Sequence, residues 1–360
     1  MCFLGFGNVN RALARLLADR YADLRAQGIA WHVTGVASRR LGWWANTEGF
    51  DPARLDEFAH PDSKDQDAIE KAKHARVPQV RVRSLDANLG TPAHQLSDVH
   101  SWLRAAQADV LFEATSLNVE NGHPAVDHLR AALEFGAHAI TANKGPIVHA
   151  YTELQGLARR QDRRFFFEST VMDGIPMFSL FRETLPAIRL HGFRGVLNST
   201  TNVILSGMEE GLSFEDSLLK AQQLGVAETD ASHDLDGWDA AVKVAALVIV
   251  LMGEPIKLNA IQREGIRNLA GEQVRAARAA GTPYKLVCEA HRGANGIEAR
   301  VGPQKLPLTD SLARISGTSS IVEFHTDIFP GLVLTEENPG IYATAYGMLA
   351  DFIRAARDDR

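Results

Sequence analysis

The chain contains only two cysteines, Cys2 and Cys288, in 360 residues. That excludes a disulfide framework and a cysteine-rich zinc site, and it makes the reducing cytoplasm the expected compartment. No apolar run approaches the ~20 residues needed to span a bilayer; the longest, Val244–Met252, falls far short. The N-terminus, MCFLGFGNVNRALARLL, has no basic region ahead of a long apolar stretch and so does not read as a secretory signal. Basic residues (38) are outnumbered by acidic ones (44), leaving a net charge of −6 and no basic footprint for nucleic acid. No internal repeat, low-complexity tract, G-x-S-x-G elbow or cysteine–histidine arrangement occurs, and the scattered histidines show no metal-ligand spacing. These absences predict a soluble cytoplasmic protein with neither nucleic-acid nor membrane partners.

The length predicts two domains, because single cores rarely grow beyond about 250–300 residues. The first third alternates short apolar runs with helical patterns. Strands are expected at Cys2–Leu4, Trp31–Ala37, Val110–Ala114 and Ala137–Thr141, with helices at Arg11–Gln27 and Pro124–Phe135. Such alternation predicts an α/β, doubly wound parallel sheet. Residues 42–97, rich in charge, proline and aspartate, are expected to contain long loops, and the sequence does not place the elements there. After Lys144 the pattern changes. Phe165–Glu168, Phe193–Leu197, Pro283–His291, Ile297–Val301 and Ile321–Thr326 read as strands, with helices from Met177 and over Phe214–Leu224. A second, α+β domain with antiparallel pairs is expected there, over 146–342, after a dinucleotide-binding domain over 1–145. The chain closes on an amphipathic helix, Ala343–Arg357.

Gly5-Phe6-Gly7-Asn8-Val9-Asn10 follows a strand and opens a helix, the context of a Rossmann-type dinucleotide fingerprint. Gly5 permits the tight turn, Gly7 lets a pyrophosphate approach the backbone, and the helix start at Asn8-Val9 offers N–H donors. Asn10 stands where a third glycine or alanine is usual. The second strand ends in Arg39-Arg40; an acid there would suit the ribose hydroxyls of NAD, whereas arginines suit the 2′-phosphate of NADP. NADP is therefore the expected cofactor, with NAD still open. Lys144, in Thr141-Ala142-Asn143-Lys144-Gly145-Pro146, ends another buried strand at the rim where such sheets bind ligands.

The densest charge lies in Glu228–Lys243, ETDASHDLDGWDAAVK, with five carboxylates in twelve residues before an apolar helix. Ser232-x-Asp234-x-Asp236-Gly237 imitates the start of a calcium loop. The bidentate acid due at its twelfth position is Lys243, however, a cation where the metal needs a carboxylate. What remains is Asp239 and Lys243 one helical turn apart on one face. The following Val244-Ala245-Ala246-Leu247-Val248 places both at the mouth of a core, where burial is expected to lower the lysine pKa toward values useful for proton transfer.

Together these segments resemble the homoserine dehydrogenases over almost the whole chain: the GFGNV turn, Glu113-Ala114-Thr115-Ser116, TANKGP, Phe167–Pro176, Leu197–Leu205, Ala221–Lys243 and Asn338–Asp351. The resemblance implies an NAD(P)-dependent interconversion of L-homoserine and L-aspartate 4-semialdehyde. It assigns proton transfer to Lys243, with Lys144 as a second lysine near the reacting groups. Glu228, Asp234, Asp239 and Thr200 would bind the substrate. Gly5, Gly7, Asn8, Val9, Arg39, Arg40, Thr115, Ser116, Lys144, Gly174 and Gly340 would meet the cofactor. A monovalent cation such as sodium would sit on Glu168, Val171, Asp173 and Ile175. It further implies a homodimer through the second domain, a closing helix over 343–360 that packs back on the first, a place in threonine and methionine biosynthesis, and no appended amino-acid-sensing domain. Departures at Asn10, Met172-Asp173, Ser199 and Ala231 keep two alternatives in view. One is a related dehydrogenase acting on another amino-acid semialdehyde or hydroxy acid; the other is a non-catalytic NADP-binding sensor.

Overall fold

The structure is a computed structural model that describes residues 1–52, 55 and 98–358. Most of the 42–97 stretch expected to contain long loops lies outside the described residues. The chain forms two compact units. One comprises Met1–Pro146, Thr152–Ser169 and Ile341–Arg360; the other comprises Ile147–Tyr151 and Thr170–Gly340. Among the described residues no helix is long and apolar enough to cross a membrane.

In the first unit the elements run β1 (Cys2–Leu4), α1 (Asn8–Asp19), α2 (Tyr21–Ala26), β2 (Val33–Ser38), β3 (Gly42–Phe50), α3 (Val99–Ala106), β4 (Val110–Glu113), α4 (Ala125–Phe135), β5 (His138–Thr141), α5 (Gly145–Arg160) and β6 (Phe165–Phe166). They build one sheet in the order β3-β2-β1-β4-β5-β6. Every neighbouring pair is parallel except β2/β3. The chain steps outward from β1 to β3 and then returns to β4 on the other side of β1, so the strand order reverses between β1 and β4. That reversal is where open α/β sheets bind their ligands.

The strands are short apolar runs because both faces are covered. Successive side chains of β1 point to opposite faces. Phe3 joins Leu13 and Leu17 of α1, Phe112 and Ile140, and Met348, Leu349 and Phe352 of the C-terminal helix (Ile341–Asp358). Cys2 and Leu4 pack with Trp102, Leu103 and Leu111 on the other side. Each such side chain, wholly removed from water, contributes roughly 1.5–3 kcal/mol.

Residues 42–50, where the sequence placed no element, form the edge strand β3, joined to β2 by a hairpin whose tip is Arg39-Arg40. Its Trp43 packs on Trp102 with ring centroids 5.4 Å apart, and the Trp102 indole N–H donates to the Trp44 carbonyl at 2.8 Å. The aromatic pair anchors a strand in a segment whose overall polarity reads as loop. The single helix expected over Arg11–Gln27 breaks at Arg20, whose ψ of 13° leaves the helical region, into α1 and α2.

The second unit continues with β7 (Leu190–Val196), α6 (Ser199–Glu209), α7 (Phe214–Gln223), α8 (Ser232–Leu235), α9 (Trp238–Leu247), β8 (Gln262–Arg263), α10 (Gly271–Ala279), β9 (Tyr284–Gly293), β10 (Gly296–Lys305), β11 (Ser320–Thr326) and β12 (Leu332–Glu336). Its sheet has the order β12-β11-β7-β9-β10-β8, antiparallel throughout except for β8 beside β10. Val196, Val287, Leu312 and Ile321 form part of its buried core. Strands preceded and interrupted by helices give the mixed α+β pattern expected of this half. The predicted helix from Met177 is one α-helical turn, Met177–Ser179, passing into a π-helical turn at Leu180–Thr184.

Candidate active site

The fingerprint turn sits at the reversal point of the first sheet. Gly5 has φ +80°, and a Cβ there would lie 2.5 Å from the Ala114 carbonyl oxygen, so only glycine fits between the ends of β1 and β4. Gly7, the residue before α1, is exposed, and a Cβ built on it would meet nothing within 4 Å. That open space beside the first N–H groups of α1, at Asn8 and Val9, is the shape a pyrophosphate needs. Asn10 is wholly buried rather than an obstacle. Its amide nitrogen donates to the carbonyls of Leu4 (3.3 Å), Gly5 (3.2 Å) and Phe112 (3.4 Å), tying the turn to β1 and β4.

The ends of β4 and β5 share a buried polar network. Glu113, fully buried, accepts at Oε1 from the Thr115 backbone N–H (2.8 Å) and hydroxyl (2.5 Å), and at Oε2 from the Thr141 hydroxyl (2.6 Å). Burial raises its carboxyl pKa above the usual range despite the donors on Thr115 and Thr141. Asn143 donates to the carbonyls of Thr115 (3.2 Å) and Ser116 (3.4 Å) and accepts from the Gly145 N–H (3.0 Å). Ser116 is exposed; Lys144, half-buried, is the residue before α5. Arg39 and Arg40 are exposed at the end of β2.

In the second unit the acidic segment folds as α8, a glycine turn and α9. Gly237 takes φ +78°, a left-handed conformation that lets Asp239 enter the first turn of α9 immediately after the bend. Lys243 lies one turn on. Its Nζ stands 3.4 Å from Asp239 Oδ2 and donates to the Leu197 carbonyl at 2.5 Å. The side chains of Lys243 and Asp239 are only 15% and 18% exposed, so this is no solvated surface pair. The Asn198 amide nitrogen reaches both Asp234 (2.6 Å) and Asp239 (3.0 Å). Asn198 itself is held as the N-cap of α6, accepting from the Thr201 N–H at 2.8 Å. Thr200, beside it, donates to the Val226 carbonyl at 2.8 Å.

Electrostatics follow from this crowding. Burial pulls the Lys243 ammonium down, but Asp239, Asp173 and Asp234 together outweigh it, and the pKa rises above its ordinary value. The expectation of a lowered lysine pKa is thus corrected: it weighed desolvation without the carboxylates that the fold gathers around the ammonium. Burial and then the Asp239 charge raise Asp234. Glu336, at the end of β12, is pushed up to about 8 by burial and by Asp173. Asp173 itself holds a positive φ of 42°.

Not every expected residue joins this group. Glu228 is exposed, and no described hydrogen bond or ion pair links its carboxylate to Asp234, Asp239 or Lys243. Gly174 is half-buried and Gly340 exposed. Two of the expected cation ligands have partners within their own units. The Glu168 carboxylate faces Arg354 at 3.3 Å, and the Ile175 carbonyl accepts from the Met177 N–H at 2.7 Å. Val171 is buried. Sequence reasoning did not single out Glu113, Thr141, Asn143, Asn198 or Glu336. Asn198 carried a readable signal, a helix N-cap asparagine within LNSTTNVIL.

With this geometry in place, comparison with known proteins is specific. A family model described as homoserine dehydrogenase matches residues 176–353. An NAD(+)-dependent homoserine dehydrogenase from Pseudomonas canavaninivorans is 34% identical over 98% of this chain and 95% of its own length. A crystal structure of a putative homoserine dehydrogenase from Archaeoglobus fulgidus aligns over 98% of each chain, with a TM-score of 0.78 and 28% identity. A hyperthermophilic archaeal homoserine dehydrogenase mutant in complex with NADPH aligns over 99% of this chain and 98% of its own, with a TM-score of 0.75 and 27% identity. By sequence and by fold, the chain belongs to the homoserine dehydrogenase family, oxidoreductases acting on a CH–OH group.

Proposed function

We propose that the protein interconverts L-homoserine and L-aspartate 4-semialdehyde, with Lys243 as the group that gives and takes the proton. The observation that carries this reading is the half-buried ammonium of Lys243, 3.4 Å from Asp239, beside a second carboxylate tied in by Asn198. A pyridine nucleotide, when bound, supplies the hydride chemistry. In the reducing direction Lys243 delivers a proton to the aldehyde oxygen, and its charge stabilises the alkoxide character that develops there. In the oxidising direction the neutral amine removes the hydroxyl proton. Asp234 and Asp239 receive the ammonium group of the substrate, with Glu228 and Thr200 completing its contacts, and Lys144 acts as a second cation near the reacting oxygen.

The nucleotide lies on the Gly5–Val9 turn, with Thr115, Ser116, Gly174 and Gly340 as further contacts, and Arg39 and Arg40 select the 2′-phosphate of NADP. The related NAD(+)-dependent enzyme keeps NAD in view as an alternative. No step runs through a monovalent cation at Glu168, Val171, Asp173 and Ile175. The protein works in the cytoplasm, in threonine and methionine biosynthesis, as a homodimer.

The deciding experiment is an absorbance assay with homoserine, using NADP and NAD in turn, on the wild type and on Lys243→Ala. Homoserine-dependent reduction of either nucleotide, lost in the variant, supports the reading. Normal turnover in the variant removes Lys243 from the mechanism, and no turnover by the wild type removes the activity.

A further inference from the structure

The Glu113 network fixes more than the shape of the sheet rim; it fixes the polarity of a threonine at that rim. Oε1 of Glu113 accepts the backbone N–H of Thr115 at 2.8 Å, and an N–H can only donate. Oε1 is therefore an acceptor in the ionised carboxylate, and also in the acid when its proton sits on Oε2, where the Thr141 hydroxyl at 2.6 Å has a lone pair to receive it. In each of these two states the Thr115 hydroxyl, 2.5 Å from Oε1, spends its one hydrogen on Glu113. The only functionality it can offer a ligand is a lone pair. Asn143 reinforces the arrangement by holding the Thr115 and Ser116 carbonyls, so the turn cannot swing to re-aim the hydroxyl.

We infer that Glu113 is a positioning residue that makes Thr115 an obligate hydrogen-bond acceptor toward the nucleotide, reading an N–H donor such as the carboxamide of the nicotinamide ring. This rests on the proposed placement of the nucleotide at Thr115. Hydroxyls ordinarily donate or accept as the ligand requires; here the direction is set by a buried side chain two residues away. The network also explains why a carboxyl is tolerated at 0% exposure with no charged partner among the causes acting on it: three donors satisfy it.

The test is nucleotide binding, measured as a dissociation constant for the reduced cofactor and for its 3-acetylpyridine analogue, in which a methyl group replaces the amide NH2. The proteins are the wild type, Glu113→Gln, Glu113→Met and Thr115→Val. The wild type is expected to bind the analogue about tenfold more weakly, the worth of one hydrogen bond. Glu113→Gln keeps a carbonyl acceptor for Thr115 and should retain that ratio. Thr115→Val, and Glu113→Met if it folds, should bring the ratio to about one. Simple loss of folded protein would lower kcat without altering any ratio. Equal binding of the two nucleotides by the wild type, or an unchanged ratio in Thr115→Val, overturns the inference. A wild type that binds neither nucleotide overturns instead the reading on which it rests.

Discussion

One nitrogen atom of Asn198 lies 2.6 Å from Asp234 and 3.0 Å from Asp239, so a single amide bridges two carboxylates drawn from α8 and α9. Without the bridge the two like charges would repel each other across a half-buried space. Asn198 also caps α6, which makes one side chain responsible both for a helix start and for the spacing of the acidic pair. Replacing it with alanine should lower kcat/KM for homoserine by about 10–100-fold, with the loss mostly in KM. The lost cap should cost ~1 kcal/mol of stability. Steady-state kinetics with a thermal melt separate the two effects, and an unchanged KM would mean that the bridge does not shape the substrate site.

Lys243→Ala should reduce turnover by about two or more orders of magnitude, the usual scale for a general acid–base group, while nucleotide binding persists. Lys243→Arg keeps the positive charge but cannot be deprotonated. It can therefore neither give nor take the proton, and kcat/KM should fall by a similar factor in both directions. Near-wild-type turnover in Lys243→Arg would assign Lys243 an electrostatic role alone.

The pH dependence follows from the raised pKa. Oxidation needs the neutral amine, and Lys243 is pushed above its ordinary value of 10.5 by Asp239, Asp173 and Asp234. The rate of homoserine oxidation should keep climbing through the alkaline range with no plateau below about pH 10. Asp239→Asn removes the largest raising charge and should move the rising limb to lower pH. A plateau near neutrality in the wild type would contradict this assignment.

Arg40→Asp should weaken NADP and improve NAD, because it exchanges a phosphate partner for an acceptor of ribose hydroxyls. A shift in the ratio of kcat/KM values of about 10-fold or more is expected. If NADPH affinity is unchanged, Arg40 at the β2–β3 tip is only a surface residue.

Glu336 links stability to pH. Its carboxyl, ordinarily near 4.5, is raised to about 8 in the folded protein. Between these values the native state keeps a proton that the unfolded chain has released, so its contribution to stability declines as pH rises through that window. Glu336→Gln should flatten the decline, giving a variant whose melting temperature exceeds that of the wild type by a few degrees above about pH 8. Parallel melting curves for the two proteins across this range would exclude Glu336 as the source.

The features legible in the sequence were those with local period or local chemistry. β1 is three apolar residues ahead of a glycine turn, α4 starts just after Pro124, and Asp239 and Lys243 are spaced by one helical turn. The edge strand β3 was hidden because its support is Trp102, far along the chain. The break at Arg20 was equally hidden, since apolar spacing continues through it as far as Leu24. The direction of the Lys243 shift was misjudged for the same kind of reason. Burial can be inferred from the apolar helix that follows, but Asp173 lies seventy positions away and comes near only in the folded chain.

By itself the sequence determined the order of strands and helices, the glycine turn after β1, and the acids and lysine of Glu228–Lys243, because these depend on interactions between near neighbours. Only the tertiary structure decided which carboxylates matter to Lys243. It brought Asn198 across 36 and 41 positions to Asp234 and Asp239, and it left Glu228 in solvent. It likewise set Thr141 against Glu113 over 28 positions, by pairing β4 with β5. A buried polar group must find its partners wherever the packed chain supplies them, and no periodicity in the sequence encodes that choice.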